Sequence, residues 1–171
     1  MFFNPFDTFF DGLAAYVEQS ERESDHGRIY LDFEHIKSAV NVKLVASAED
    51  NYSIHDVYLI GESPSSYNVA TSSWNFSSSL HVPLTYTFYE TLPTVANYLR
   101  LQSGGTHEIE GEVLVVPGTY TLYVYYSSAP VDGAYGPDAV APQYKTQTVV
   151  FKAGEQKTVN VNLSPVDQIM N

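Results

Sequence analysis

The chain lacks cysteine, has few basic residues and contains no long apolar run. The absence of cysteine among 171 residues excludes disulfides, thiolate metal ligands and cysteine nucleophiles. Lys and Arg total 8 against 20 Asp and Glu, a net charge of −12. Such a surface repels phosphate backbones and anionic headgroups, so we expect no nucleic-acid partner. No apolar run approaches the roughly 18 residues of a spanning helix, and we expect no membrane insertion by this chain.

Tyrosine takes the place of much of the missing charge. Charged residues make up only 16% of the chain, and tyrosine occurs 14 times beside nine phenylalanines and one tryptophan. A tyrosine on a strand covers apolar surface with its ring while its hydroxyl stays in water. Hydrophobic residues at 44% are enough for a buried core, and the length suits one domain.

Strict alternation between Val115 and Leu163 predicts β-strands. One face would carry Tyr120, Leu122, Val124 and Tyr126, and the other Thr119, Thr121, Tyr123 and Tyr125. Residues 146–152 and 157–163 then predict a hairpin whose turn places Gly154 at positive φ.

The rest of the chain also predicts strands, with irregular connections. Val40, Val42, Leu44 and Ala46 alternate with polar or small residues, and further strands are expected at 55–60, 84–89 and 107–116. Residues 62–79, with a short strand near Trp74, and residues 127–143 are predicted to be long loops.

The N-terminal segment differs in character. Phe6, Phe9, Phe10, Leu13 and Val17 recur at helical spacing, which predicts a helix over residues 5–19. We therefore divide the chain into a helix and acidic linker (1–27), a β-sandwich domain (28–164) and a tail (165–171). The expected fold is an all-β, two-sheet antiparallel sandwich of about seven to eight strands, preceded by a short helix.

Two stretches resemble a known family. Residues 31–44 (LDFEHIKSAVNVKL) followed by 54–61 (IHDVYLIG) resemble the opening of the fimbrillin-like proteins of Bacteroidales. Residues 116–122 (VPGTYTL) together with 149–163 resemble the closing half of transthyretin-like Greek-key sandwiches, an architecture that fimbrillin domains share.

The resemblance implies an exported protein of the cell surface, outer-membrane-anchored or part of a pilus, whose signal and lipidation site lie outside this chain. Its partners would be other surface or pilus subunits, or host or bacterial surface ligands. In this family a subunit donates a strand to a neighbour's sheet. The candidate strand-exchange residues in this chain lie in the two terminal strands: Ile29, Leu31, Phe33, Val159, Val161 and Leu163.

The alternative function is a glycan- or protein-binding sandwich of a surface lipoprotein. Aromatic rings on loops can stack on sugar faces. The candidate ligand-stacking residues lie in or beside the two predicted loops: Tyr67, Trp74, Tyr135 and Tyr144.

No pattern indicates catalysis, a cofactor or a metal ion. The five histidines lack the His-x-x-x-His or His-x-His spacing typical of zinc sites. Glu108, Glu110 and Glu112 would share one face of a strand, but a solvated face accounts for them better than a calcium site. No Gly-x-Ser-x-Gly elbow occurs. We therefore expect a binding or structural module rather than an enzyme.

Overall fold

Thirteen strands make up the part of the chain that the computed structural model describes, residues 13–16, 33–76, 83–90, 98–109, 111–130 and 142–165. No helix occurs within these ranges. In chain order the strands are β1 (Leu13–Ala14), β2 (Glu34–His35), β3 (Ser38–Ala46), β4 (Asp50–Glu62), β5 (Pro64–Asn68), β6 (Ser73–Phe76), β7 (Pro83–Glu90), β8 (Leu99–Leu101), β9 (Thr106–Glu108), β10 (Val113–Val115), β11 (Gly118–Pro130), β12 (Gln143–Phe151) and β13 (Gln156–Leu163).

Two main sheets form a sandwich, which confirms the all-β, two-sheet fold expected from the sequence. The first sheet has the order β10-β3-β13, with β9 also pairing with β3. The second has the order β12-β11-β4-β7, with β8 also pairing with β4. The short ladders β1-β2 and β5-β6 stand apart from both. Only β3 and β13 pair in parallel among the described strands, and all other ladders are antiparallel.

The core lies between the sheets and is filled by the alternate residues that the sequence pattern indicated. Val40, Val42 and Leu44 of β3 are fully buried, while the intervening residues are half-buried. Each such aliphatic side chain contributes about 1.5–3 kcal/mol when it leaves water. The opposing sheet contributes the larger side chains of the same core: Tyr52, Ile54, Val57, Leu59, Tyr86, Tyr120, Leu122, Val124, Tyr126 and Phe151.

The turn between β12 and β13 carries the chain from one sheet to the other. Gly154 has a φ of 68°, which confirms the predicted positive φ. Its N–H donates to the Lys37 carbonyl over 3.0 Å, and the Ser38 hydroxyl donates to the Lys152 carbonyl. The predicted hairpin is wrong, because β12 pairs with β11 whereas β13 pairs with β3. Hydrogen bonds therefore hold this turn to the start of β3, at the point where the chain passes from one sheet to the other.

The predicted N-terminal helix over residues 5–19 is wrong at Leu13 and Ala14. These two residues form β1, which pairs with β2 at His35 and Glu34. Pairing with β2 satisfies the backbone hydrogen-bonding groups of these residues. This tertiary pairing outweighs the helix preference that the spacing of the apolar residues indicates. The remainder of the predicted helix lies outside the described residues, apart from residues 15 and 16, which are not helical.

Two further boundaries differ from the sequence-based expectation. The predicted loop over 127–143 is wrong at its start, because β11 continues to Pro130 and its small residues Ser127 to Ala129 are buried against β4. The predicted strand over 107–116 is interrupted between β9 and β10, where Gly111 has a φ of 99°. Glu108 and Glu112 therefore do not lie on one continuous strand.

A buried tyrosine pair anchors the entry to β11. The Tyr120 hydroxyl donates to the Val116 carbonyl over 2.8 Å, and the Val116 N–H donates to the Tyr86 hydroxyl over 3.1 Å. The contact between Tyr120 and a carbonyl four residues upstream resembles the tyrosine corner of other sandwiches. Gly61 leaves room for the Tyr120 ring, since a Cβ there would lie 2.3 Å from a ring carbon. Burial raises the pKa of both phenols.

Replacing Tyr120 with Phe tests this anchor. The substitution leaves the buried Val116 carbonyl without its side-chain donor, so we expect a loss of about 1–3 kcal/mol in the free energy of unfolding. Tyr123→Phe is the matched control, because Tyr123 is half-buried on the outer face of the same strand, and its expected change is within about 0.5 kcal/mol. Urea denaturation measures both. Equal stability of the two variants would contradict a structural role for the Tyr120 hydroxyl.

Candidate functional site

The outer face of the five-stranded sheet carries a cluster of tyrosines around a histidine. We call Tyr58, Tyr98, Tyr123, Tyr125 and Tyr144 the tyrosine surface. Tyr58 and Tyr123 stack with ring centroids 5.2 Å apart and planes 13° apart. Tyr125 and Tyr144 stack at 4.6 Å and 21°. Both are cross-strand pairs, so the register of β4, β11 and β12 sets the cluster.

Half-burial affects the chemistry of these phenols. Desolvation raises the pKa of Tyr58 and of Tyr125, and the neighbouring Tyr144 raises both further. The hydroxyls of Tyr58 and Tyr125 therefore remain protonated at neutral pH and can donate as well as accept hydrogen bonds.

A β-bulge places His55 within this cluster. Tyr125 pairs with Asp56 and Tyr126 with Ile54, so His55 is an extra residue on β4. Its ring lies 4.4 Å from that of Tyr98 and 4.9 Å from that of Tyr125. Its Nε2 is 3.2 Å from the Ser127 hydroxyl. Burial lowers the pKa of His55, against an opposing effect of the Asp56 carboxylate.

A shallow groove of about 230 Å³ lies beside the tyrosine surface, over β4 and β7. Asp56 and Glu90 are direct cross-strand partners at one end of it. Tyr58 separates the groove from Tyr123, because its cross-strand neighbours are Tyr123 on β11 and Thr87 on β7. Each residue that lines the groove carries a side-chain oxygen: Asp56, Tyr58, Thr85, Thr87, Tyr89 and Glu90.

The four predicted ligand-stacking residues do not form one site. Tyr67 and Trp74 contact each other in the β5-β6 hairpin, with ring centroids 5.0 Å apart. The Trp74 Nε1–H donates to the Ile36 carbonyl over 2.9 Å, which anchors the hairpin to the chain before β3. Tyr144 belongs to the tyrosine surface instead. Tyr135 lies outside the described residues.

The predicted strand-exchange residues have different environments. Ile29 and Leu31 lie outside the described residues, and Phe33 is 59% exposed and precedes β2. On β13 the three predicted side chains are at most 4% exposed and face the core: Val159, Val161 and Leu163. They are core residues of an edge strand.

The outer edge of β13 carries backbone groups that pair with no strand of the described ranges. The Glu155 carbonyl accepts from the Ala39 N–H over 2.8 Å. In a strand the N–H and C=O of one residue point to the same side, and the side alternates along the chain. The parallel register therefore directs every second residue from Lys157 to Leu163 toward β3. The backbone N–H and C=O groups of Thr158, Asn160 and Asn162 point away from β3, and no other described strand pairs with these residues.

Three other edges of the sandwich, those of β12, β7 and β9-β10, carry features that oppose pairing. On β12 the Lys157 ammonium donates to the Val150 carbonyl over 2.8 Å, and Lys145 stands on the same strand. β7 begins at Pro83 and has a bulge at Phe88. The β9-β10 edge is broken at Gly111. Natural sheets use such lysines, prolines and bulges to block edge pairing, and the TVNVNL run of β13 has none of them.

Clusters for metal binding are missing from the described ranges. No group of three or more His, Asp or Glu residues is placed there to hold a metal ion. In the same ranges no helix is long and apolar enough to cross a membrane.

Comparisons with known proteins return no relative. No protein-family model matches the chain, and neither a curated protein nor a solved structure shows significant similarity to it. The geometry of the described residues therefore has to support any functional proposal.

Sequence reasoning missed the tyrosine surface as a site. Its signal was present, since Tyr123 and Tyr125 alternate on the face opposite the buried residues of β11. The partners Tyr58 and Tyr144 come from strands whose register only the structure supplies. The outward position of His55 depends on a bulge, which shifts the alternation by one residue.

His55 predicts a pH dependence of stability. Because its pKa is lower in the folded protein than the usual 6.5, the unfolded chain binds the proton more readily. The free energy of unfolding should therefore keep its full value above about pH 6.5 and decline as the pH falls below it, because the unfolded chain then takes up the proton first. We expect His55→Gln to flatten the stability profile between pH 7 and 5 in urea denaturation. An unchanged slope in that variant would show that other groups cause the dependence.

Proposed function

We propose that this chain is a fimbrillin-like subunit or accessory protein of the cell surface, acting in adhesion or pilus assembly through strand-mediated contacts. The observation that carries the proposal is the edge of β13 from Thr158 to Leu163, which carries no charge and pairs with no other described strand, beside three edges that oppose pairing. The family resemblance supports the cellular setting. Its motif segments cover most of β3, part of β4, the start of β11, the end of β12 and all of β13.

The contact would extend a sheet by β-augmentation. An incoming strand would pair with the N–H and C=O groups of Thr158, Asn160 and Asn162, which alternate with the residues bound to β3. The side chains of these three residues are exposed, so they would lie beside those of the incoming strand on the outer face of the sheet. Partner subunits at the surface, or a second copy of this chain, would supply the strand.

The β13 side chains that face the core are already buried without a donated strand, and this lowers the affinity that strand addition can provide. Val159, Val161 and Leu163 are at most 4% exposed, so an added strand would bury little further apolar surface of β13. Backbone hydrogen bonds contribute about 0.5–1.5 kcal/mol each, and association costs roughly 4–15 kcal/mol. A single contact should therefore be weak and reversible, and multivalency in a filament would strengthen it.

Asn160→Pro tests the edge directly. The substitution removes an N–H that points away from β3, and proline is tolerated at such positions of edge strands. We expect the wild-type chain to associate between roughly 10 µM and 1 mM in sedimentation equilibrium, as weak contacts do. Asn160→Pro should remain folded and monomeric, whereas Asn160→Thr, which keeps the N–H, should associate like the wild type. Equal association of all three proteins, or a wild type monomeric throughout this range, would contradict the proposal.

A further inference from the structure

The ring of Tyr58 forms one wall of the groove over β4 and β7. One side of its ring is covered by Tyr123 at 5.2 Å, and the other side borders the groove over Thr87. The stack with Tyr123 restrains the ring. A restrained aromatic wall loses little conformational entropy when a ligand packs against it.

The other residues that line the groove each carry a side-chain oxygen that can form hydrogen bonds. Thr85 and Thr87 supply hydroxyls, and Asp56 and Glu90 supply carboxylates. The Tyr89 hydroxyl already accepts a hydrogen bond from the Leu99 N–H. Among the described residues, the lining includes no lysine, arginine or histidine. Carboxylates only accept hydrogen bonds, while hydroxyls both donate and accept them. The lining therefore suits a ligand rich in hydroxyl donors, and it repels phosphate, sulfate and carboxylate groups.

We propose that the groove binds a neutral saccharide, with one sugar ring packed against Tyr58 and its hydroxyls bonded to Thr87 and the two carboxylates. The groove volume of about 230 Å³ lies below the roughly 300–1,000 Å³ of sites for drug-sized ligands, and fits a single ring. Further sugar units would extend along the tyrosine surface toward Tyr125 and Tyr144. This site lies on the outer face of the five-stranded sheet, so it is independent of strand addition at β13.

A basic peptide is the competing ligand, because Asp56 and Glu90 attract cations. The observations favour a saccharide, since the lining combines threonine hydroxyls with the ring of Tyr58, which its stack with Tyr123 restrains. A sugar ring offers an apolar face and hydroxyl edges together, which matches both features.

Nuclear magnetic resonance titration of the full chain tests the site. The probes are neutral hexasaccharides of glucose, mannose, galactose and N-acetylglucosamine, with a sulfated heparin hexasaccharide and hexalysine for comparison. We expect at least one neutral hexasaccharide to bind and to shift the ring signals of Tyr58 and Tyr123. Sulfated saccharide and hexalysine should leave those signals unchanged.

Variants separate this groove from other surfaces. Tyr58→Ala should weaken binding roughly 3- to 10-fold through lost stacking. Thr87→Val keeps a β-branched side chain on an exposed strand position and should weaken binding without changing the melting temperature. If Tyr58→Ala is unstable, this variant alone tests whether the saccharide binds in the groove. Thr148→Val, on the same outer face but outside the groove, is the matched control and should bind like the wild type.

Three results would overturn the proposal. The first is that no neutral hexasaccharide binds, and the second is that hexalysine binds in their place at Tyr58. The third is that Thr87→Val binds like the wild type while Tyr67→Ala loses binding, which would assign the ligand to the β5-β6 hairpin.

Discussion

Parallel pairing of β3 with β13 is the interaction on which the sandwich depends. It joins the first long strand of the described chain to the last, over a continuous register from Ala39 and Gln156 to Ala46 and Leu163. Because the turn at Gly154 moves the chain between sheets, this pairing also places the last strand in the sheet opposite β12. Since the paired residues lie far apart in the sequence, we expect this contact to form slowly.

Tyrosine performs two structural tasks in this protein. Inside, each of four buried rings fills the core and its hydroxyl meets a specific polar group: Tyr52, Tyr86, Tyr120 and Tyr126. Two of these contacts hold the C-terminal end of β13, where the Tyr126 hydroxyl donates to the Ser164 carbonyl over 2.9 Å and the Tyr52 hydroxyl lies 3.4 Å from the Leu163 carbonyl. Outside, stacked pairs cover the five-stranded sheet. A chain with 16% charged residues thereby keeps a wettable surface without many ions.

Local patterns predicted the inside and outside of single strands well. The alternation in β3, β11 and β13 correctly separated buried from outward residues, because side-chain direction along a strand depends only on the pleat. Turn chemistry likewise predicted the conformation of Gly154. Both signals are local, and they need no knowledge of neighbouring strands.

Features that depend on pairing were beyond those signals. The glycine turn has the same local form whether or not the chain stays in one sheet, so the predicted hairpin of β12 and β13 was wrong. The bulge at His55 and the strand at Leu13 and Ala14 both arise from the partner strand. For the same reason the tyrosine surface and the open edge of β13 emerge only from the register and the sheet order.

Amide hydrogen exchange along β13 tests the central pairing most directly. The account predicts alternation in the isolated monomer: slow exchange at Val159 and Val161, whose N–H groups point to β3, and fast exchange at Thr158, Asn160 and Asn162, which point to solvent. Uniform fast exchange along β13 would contradict its pairing with β3. Uniform protection in the monomer would contradict the open edge.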